Sequence, residues 1–273
     1  MNFWNSLSAS FVSALRQPRL WLLQFFGNAI IALVFAAWLN FSDAHWWQLL
    51  FTLIVALLLV ISFVVLHSGT LNYYSDICED NRAGLLNAFA KSLKITHVLA
   101  FAIWAIVVYF LFQLVTTLDA YYYSFPGYLR SEFPAWLRRL ISENAIDNLY
   151  SGFVNFLCWV VVPGLLLPFG LLTAVEGFRG FTMLRGWGRI VRHWGYWIVL
   201  ILAALIGRYS VGKIMSWLLD PRTATLSSER VWLGCRMLFA YLLALFSWLW
   251  ICAMLGRAHA GPEPPAESQK AAA

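Results

Sequence analysis

The chain has 273 residues, of which 61% are apolar, 17% aromatic and only 12% charged, and its formal net charge is +6. Soluble domains carry roughly 25% charged residues, so this composition excludes an ordinary water-soluble fold. The basic residues are scattered among Trp, Phe and Leu and form no solvated basic face, which excludes nucleic acid as a partner.

Long apolar runs predict an all-α integral membrane protein. A helix needs about 20 residues to cross a bilayer, and the runs reach or approach that length. We predict six transmembrane helices, at residues 20–40, 46–67, 97–118, 150–174, 194–218 and 231–255. The first run is too long for the apolar region of a typical signal peptide and no clear cleavage site follows it, so we interpret it as a span.

Two prolines interrupt the fourth predicted span. Pro163 and Pro168 lack a backbone N–H, so they leave carbonyl groups without their usual helical partner. We therefore predict a kinked helix whose freed carbonyls are satisfied by neighbouring helices or by a local cavity.

The distribution of Lys and Arg predicts the orientation, because cytoplasmic loops retain basic residues. The loop at residues 41–45 has none, whereas the loop between spans four and five has four Arg. Both termini are therefore predicted to be cytoplasmic, in a bacterial inner membrane. Aromatic residues near the span ends, such as Trp21, Trp194 and Trp217, are predicted to anchor the helices at the interface.

A short amphipathic stretch precedes spans one, three and five. Each contains an aromatic residue, an aliphatic residue four positions later, and then a base: Phe11, Leu15 and Arg16; Phe89, Leu93 and Lys94; Trp187, Val191 and Arg192. We interpret each stretch as a cytoplasmic elbow helix, with its apolar face in the membrane and its base toward anionic headgroups, followed by a transmembrane hairpin. The alternative is a chance match, because such residues are frequent here.

The repeat predicts one transmembrane domain, residues 1–256, made of three units at about 1–67, 83–174 and 181–256. Residues 131–149 are predicted to form a further interfacial helix on the opposite side of the membrane. Residues 257–273, rich in Pro and Ala, are predicted to be a disordered cytoplasmic tail.

Four amides lie inside predicted spans, where polar groups are costly and are candidates for a functional site. These are Gln24, Asn28, Gln113 and Asn155. Hydrogen bonding between helices is the first interpretation, and a polar cavity is the second.

Two arginines, Arg208 and Arg236, also lie in or near predicted spans. Their guanidinium groups could extend to the membrane surface, line an outer pocket for an anionic lipid headgroup or substrate, or pair with Asp220 or Glu229.

Catalytic and metal-binding constellations are missing from the sequence. No acidic residue falls in a predicted span, the histidines are isolated, and no phosphate-binding or nucleophile motif occurs. Asp76, Glu79 and Asp80 fit a solvated loop better than a divalent-cation site. We therefore expect no catalytic residue, no metal and no cofactor.

With three elbow-plus-hairpin units, the chain resembles the bacterial six-span family typified by the membrane domain attached to some glycerophosphodiester phosphodiesterases. Related stand-alone proteins of that family have no assigned role. The resemblance lies in residues 11–22, 89–101 and 187–200, in the order basic elbow, interfacial aromatic residue and apolar span. In that family the catalytic acids and histidines sit in a separate soluble barrel, for which this sequence has no room. The resemblance therefore does not imply that activity.

The sequence favours a non-enzymatic scaffold or accessory subunit that binds lipids. The expected partners are membrane lipids, anionic at the cytoplasmic face, together with a membrane-protein partner or a second copy of the chain. The alternative is a transporter or flippase-like carrier of a lipid or small amphiphile, with Arg208 and Arg236 along its path. A membrane-embedded enzyme is the third reading.

Overall fold

A computed structural model describes residues 3–40, 45–79, 84–121, 124–217 and 225–261. The structure is 92% helical and contains no strand in these ranges. Six helices are long and apolar enough to cross a membrane: Pro18–Leu39, Trp46–Cys78, Ile95–Thr117, Asn144–Thr182, Trp194–Met215 and Leu226–Ala260. The predicted all-α fold with six membrane-spanning helices is thereby confirmed.

Thirteen α-helices are described within these ranges. They are α1 (Phe3–Leu15), α2 (Pro18–Leu39), α3 (Trp46–Glu79), α4 (Leu85–Ser92), α5 (Ile95–Tyr121), α6 (Phe125–Glu132), α7 (Ala135–Leu140), α8 (Glu143–Phe156), α9 (Val162–Glu176), α10 (Leu184–Val191), α11 (Trp194–Ala204), α12 (Val211–Met215) and α13 (Leu226–Ala260). A π-helical segment, Leu157–Val161, joins α8 to α9, and a second, Leu205–Ser210, joins α11 to α12. A 3₁₀ segment, Gly177–Thr182, follows α9.

The short helices α1, α4 and α10 precede the first, third and fifth spans. Each is separated from the following span by two residues: Arg16 and Gln17, Leu93 and Lys94, or Arg192 and His193. In the first case Pro18 starts the new helix, where its missing N–H costs nothing. Each break allows the axis of the short helix to differ from the axis of the following span.

The start of each odd-numbered span contacts the end of the span that follows it. The Tyr73 hydroxyl donates to Gln17 Oε1 over 2.7 Å, joining α3 to the start of α2. His97 Nδ1 lies 2.8 Å from the Ala174 carbonyl oxygen, joining α5 to the end of α9. Since α11 likewise packs on α13, three antiparallel pairs share one end of the bundle, which we term the basal end.

The buried core lies at the basal end, around the C-terminal halves of α3, α9 and α13. Fully buried side chains there include Leu71 and Tyr74 of α3, Leu171 of α9 and Leu255 of α13. The close approach of α13 to α3 requires glycine, because a Cβ on Gly256 would lie 2.5 Å from the Tyr74 carbonyl oxygen. Backbone therefore packs directly against backbone at the centre of the core.

Each short helix packs against the even-numbered span of the preceding pair. The Phe89 ring of α4 covers Gly69 of α3, where a Cβ would lie 2.7 Å from the ring. The Trp187 ring of α10 stacks on Phe169 of α9 at 5.6 Å between centroids. The helix α1 has no preceding pair, and it packs against the last span, α13.

Two contacts describe how α1 meets α13. The Phe11 ring lies edge-on to Trp250 at 5.4 Å between centroids. Trp250 Nε1 in turn donates to the Ser10 hydroxyl over 3.1 Å. The first and last helices are thus joined, and the three pairs form a closed ring of contacts.

The segment opposite the basal end differs from the prediction of one interfacial helix at residues 131–149. It contains the end of α6, all of α7 and the start of α8. Pro134 has no N–H to continue the first helix, and the Ser142 hydroxyl caps α8 by accepting from the Ala145 N–H. These two signals divide the segment into three helices.

The predicted disordered tail also begins too early. The last helix continues from Arg257 to Ala260, and Ala258 and His259 are buried in the core. These residues pack inside the protein because the basal core extends beyond the apolar run. Residues 262–273 of the predicted tail lie outside the described residues.

The glycine contact between α13 and α3 predicts a destabilising substitution. We expect Gly256→Ala to lower the free energy of unfolding by about 1–3 kcal/mol, because the added methyl group would meet backbone atoms that cannot move aside. Thermal or SDS-induced unfolding of the purified protein would measure the change.

Gly234→Ala on the same helix is the matched control, since a Cβ there has no neighbour within 4 Å. This variant should be neutral, or more stable by about 0.5 kcal/mol, because alanine favours a helix. Equal stabilities for the two variants would contradict the close contact.

Candidate functional site

The Gln24 side chain is fully buried between the first two spans. Its Nε2 donates to the Leu66 carbonyl oxygen over 3.1 Å and also to the Thr70 hydroxyl, both on α3. Its Oε1 accepts from Asn28 Nδ2 over 2.8 Å. The nitrogen of the Gln24 amide therefore holds α2 to α3, and its oxygen bonds one turn along α2.

The other two predicted amides do not join this network. Gln113 Nε2 donates to the Tyr109 hydroxyl over 3.2 Å, and Asn155 Nδ2 donates to the Ser151 carbonyl oxygen over 2.8 Å. Both side chains are exposed and bond one turn earlier on their own helix. The structure therefore brings Gln24 and Asn28 together and leaves Gln113 and Asn155 in separate local contacts.

The Arg236 side chain of α13 is buried, with 8% of its surface exposed. Its Nη1 donates to the carbonyl oxygens of Met215, over 2.8 Å, and Trp217, over 2.6 Å. The last carbonyls of a helix lack intrahelical donors and carry partial negative charge, so a guanidinium stabilises them. Arg236 therefore caps the end of the fifth span, a role that differs from the three considered for it.

Arg208 is exposed and lies in the π-helical segment of the fifth span. Its guanidinium carbon is 5.5 Å from the centroid of the Trp159 ring. Trp159 belongs to the π-helical segment of the fourth span and also lies edge-on to Phe112. A cation–π contact thus joins two irregular helical segments, a class of element that often marks functional sites.

Three consecutive carbonyls before Pro168 accept hydrogen bonds from aromatic side chains of other helices. The donors are the Tyr196 hydroxyl to Gly164 at 3.0 Å, Trp187 Nε1 to Leu165 at 2.9 Å and Trp104 Nε1 to Leu166 at 2.9 Å. An N–H at position 168 would have bonded to the Gly164 carbonyl, and proline has none. Neighbouring helices therefore satisfy the interrupted span, as the sequence predicted.

Sequence reasoning missed the aromatic donors as individual residues. The sequence predicts only interfacial anchoring for Trp21, yet its Nε1 donates to the Ala14 carbonyl oxygen of α1 over 2.7 Å. Trp197 Nε1 does the same to Val191 of α10 over 2.7 Å. A signal was present in the sequence, since each of these indoles lies ten residues after the aromatic residue of its short stretch.

The bases of the three short stretches lie in or beside the two-residue breaks. Arg16, Lys94 and Arg192 are all exposed at the basal end, while the aromatic residues that accompany them pack on α13, α3 and α9. Each short helix therefore has a packed aromatic face and an exposed base.

A basic groove of about 680 Å³ lies along α10. Its lining residues are Leu184, Arg185, Gly188, Arg189, Arg192 and His193. Burial lowers the pKa of His193 below its ordinary value of 6.5, so this imidazole is neutral at pH 7. The positive charge of the groove comes from the three arginines.

The described residues contain no group of three His, Cys, Asp or Glu side chains that could hold a metal ion. Of the acidic loop considered from the sequence, Asp80 and the Glu79 side chain lie outside the described part of the structure.

Comparisons of the chain with protein families, curated proteins and solved structures found no match. The resemblance to the phosphodiesterase-associated membrane domain stays a prediction.

The bond from Tyr196 predicts a coupling with Pro168. We expect Tyr196→Phe to cost about 1–3 kcal/mol of unfolding free energy, because the Gly164 carbonyl would be buried without a donor. In a Pro168→Ala background the cost should largely disappear, because the new N–H supplies that bond. Chemical unfolding of the two single variants and the double variant measures the coupling.

Tyr209→Phe is the control, because Tyr209 lies in the same span with 62% of its surface exposed. Removing the Tyr209 hydroxyl should leave the free energy of unfolding unchanged. A cost for Tyr196→Phe that is the same with and without Pro168 would refute the proposed link between proline and hydroxyl.

Proposed function

We propose that the chain is a non-enzymatic scaffold or accessory subunit of the bacterial inner membrane that binds anionic lipids at its cytoplasmic face. In this proposal three units, each an elbow helix followed by a transmembrane hairpin, make up the protein. The basal end, with both termini, faces the cytoplasm. The observation that carries the proposal is the closed ring of contacts, in which α4 and α10 pack on the preceding pair and α1 packs on the last span.

The use of polar side chains in structural bonds supports a scaffold. A carrier needs polar groups along the path of its substrate. The amides and arginines of the spans are the candidates for such groups. Gln24 instead joins α2 to α3, and Arg236 caps the fifth span. These side chains hold helices in place.

The surface of the basal end supports lipid binding. Exposed bases accompany all three short helices, and the exposed ring of Trp194 lies beside the third. Basic side chains favour anionic headgroups, and indole rings favour the boundary between headgroups and hydrocarbon. Both preferences are met if the short helices lie in the cytoplasmic interface.

The orientation can be tested with single cysteines in a chain whose native cysteines are replaced. We expect Tyr128→Cys and Ser227→Cys to react with a membrane-impermeant maleimide in spheroplasts, because they lie opposite the basal end. Ser8→Cys and Lys94→Cys should react only after the membrane is opened. Labelling of the second pair in sealed spheroplasts would reverse the proposed orientation.

A carrier is the second candidate function, and the contact between Arg208 and Trp159 favours it. Irregular backbone at membrane depth is tolerated where it is buried in protein or lines a cavity. Two π-helical segments meet at this contact, so a substrate path could pass along spans four and five.

Lipid flux in proteoliposomes discriminates the two functions. The scaffold proposal expects the wild-type protein to move fluorescent phospholipids no faster than protein-free vesicles do. It also expects Arg208→Gln to leave oligomerisation and partner retention in mild detergent unchanged. Flux above the protein-free rate that falls about tenfold or more in Arg208→Gln would establish the carrier instead.

A further inference from the structure

The exposed face of α10 carries an unusual concentration of positive charge. Arg185, Arg189 and Arg192 are spaced by four and three residues, so they project from one face of a helix. Within the described residues, no acidic side chain forms an ion pair with any of the three. All three side chains are exposed.

The other two short helices do not share this concentration. At the positions of Arg185, Arg189 and Arg192, α4 and its break have Asn87, Lys91 and Lys94, and α1 and its break have Ala9, Ser13 and Arg16. The number of cations falls from three to two to one between the third, second and first units. A ligand that needs several guanidinium groups would therefore select the third unit.

The shape of the groove suits a compact anionic group. Gly188 lies between the arginines, and a Cβ on it would have no neighbour within 4 Å, so the floor of the groove is open. The Leu184 side chain, 65% exposed, supplies an apolar wall. Guanidinium groups can donate two parallel N–H bonds to a phosphate, which gives geometric as well as charge selection.

Apolar surface beside the groove points to a lipid as the source of the phosphate. Trp194 is 80% exposed and begins the fifth span immediately after the groove. A soluble phosphate compound would gain nothing from this ring, whereas acyl chains and glycerol would cover it. The arrangement of charge above apolar surface matches an amphiphile at the interface.

We propose that the groove on α10 is a specific binding site for a phospholipid whose headgroup carries more than one negative charge, such as cardiolipin. The phosphate oxygens accept hydrogen bonds from Arg185, Arg189 and Arg192, and the acyl chains lie toward Trp194. This inference deepens the proposed lipid-binding role and rests on it. It adds a location, a stoichiometry of one site per chain, and a headgroup class.

The experiment uses the full chain in nanodiscs of phosphatidylcholine that contain cardiolipin or phosphatidylglycerol at equal total lipid charge. Native mass spectrometry of the protein released from these discs counts the retained lipids. We expect one cardiolipin to be retained in preference to phosphatidylglycerol. Arg185→Gln with Arg189→Gln should lower that retention about tenfold or more, because two charge-assisted contacts are lost.

Lys91→Gln with Lys94→Gln is the matched control, because it removes the same charge from the corresponding region of the second unit. This variant loses only the general attraction of Lys94 for headgroups, so it should retain the one cardiolipin at α10 within about twofold of wild type. Circular dichroism and gel filtration in detergent verify that both variants fold, which is expected because Lys94, Arg185 and Arg189 are exposed and Lys91 is partly exposed. Arg185→Asn alone, which copies the residue of the second unit, should give an intermediate loss.

Each other result overturns a defined part of the proposal. Equal losses from the arginine and lysine pairs would show a general effect of surface charge and no specific site. Displacement of cardiolipin by millimolar inorganic phosphate would assign the groove to a soluble anion. Retention of both anionic lipids without preference removes the specific site and leaves the proposed function intact, whereas no retention of any anionic lipid refutes both.

Discussion

A backbone carbonyl in hydrocarbon needs a donor from the protein itself, and this requirement determines much of the structure. Where helices break or meet proline, the donors are aromatic side chains from elsewhere in the chain. Indole N–H groups donate to carbonyls at the ends of the short helices α1 and α10. A tyrosine hydroxyl and two further indoles donate to the carbonyls before Pro168. Arg236 and Trp232 satisfy the end of the fifth span. The aromatic content of the chain is therefore part of its backbone hydrogen bonding.

These bonds also give polar residues of the spans a structural role. Each of Gln24, Tyr196 and Arg236 stabilises a contact between helices, so altering one would disturb the bundle before it altered a substrate path. The exposed bases of the three short helices, Arg16, Lys94 and Arg192, lie at the basal end. In the proposed function these bases face the anionic headgroups of the cytoplasmic leaflet.

The membrane-spanning helices could be predicted because hydrophobic length is a local property of the sequence. The break at Pro134 and the cap at Ser142 were also visible locally, but amphipathic periodicity across residues 131–149 hid them. The role of Arg236 was beyond sequence reasoning, because it depends on the end of α12 lying beside α13. The same holds for Trp104, whose carbonyl acceptor is 62 residues away in the chain.

The contact between α1 and α13 has a consequence for synthesis. Ser10 and Trp250 are separated by 240 positions, so the partner of the first helix is made long after it. At about 5–20 residues per second, α1 would remain for tens of seconds with its apolar face uncovered. An amphipathic helix is stable at the membrane interface, so the bilayer can cover α1 until α13 has been made.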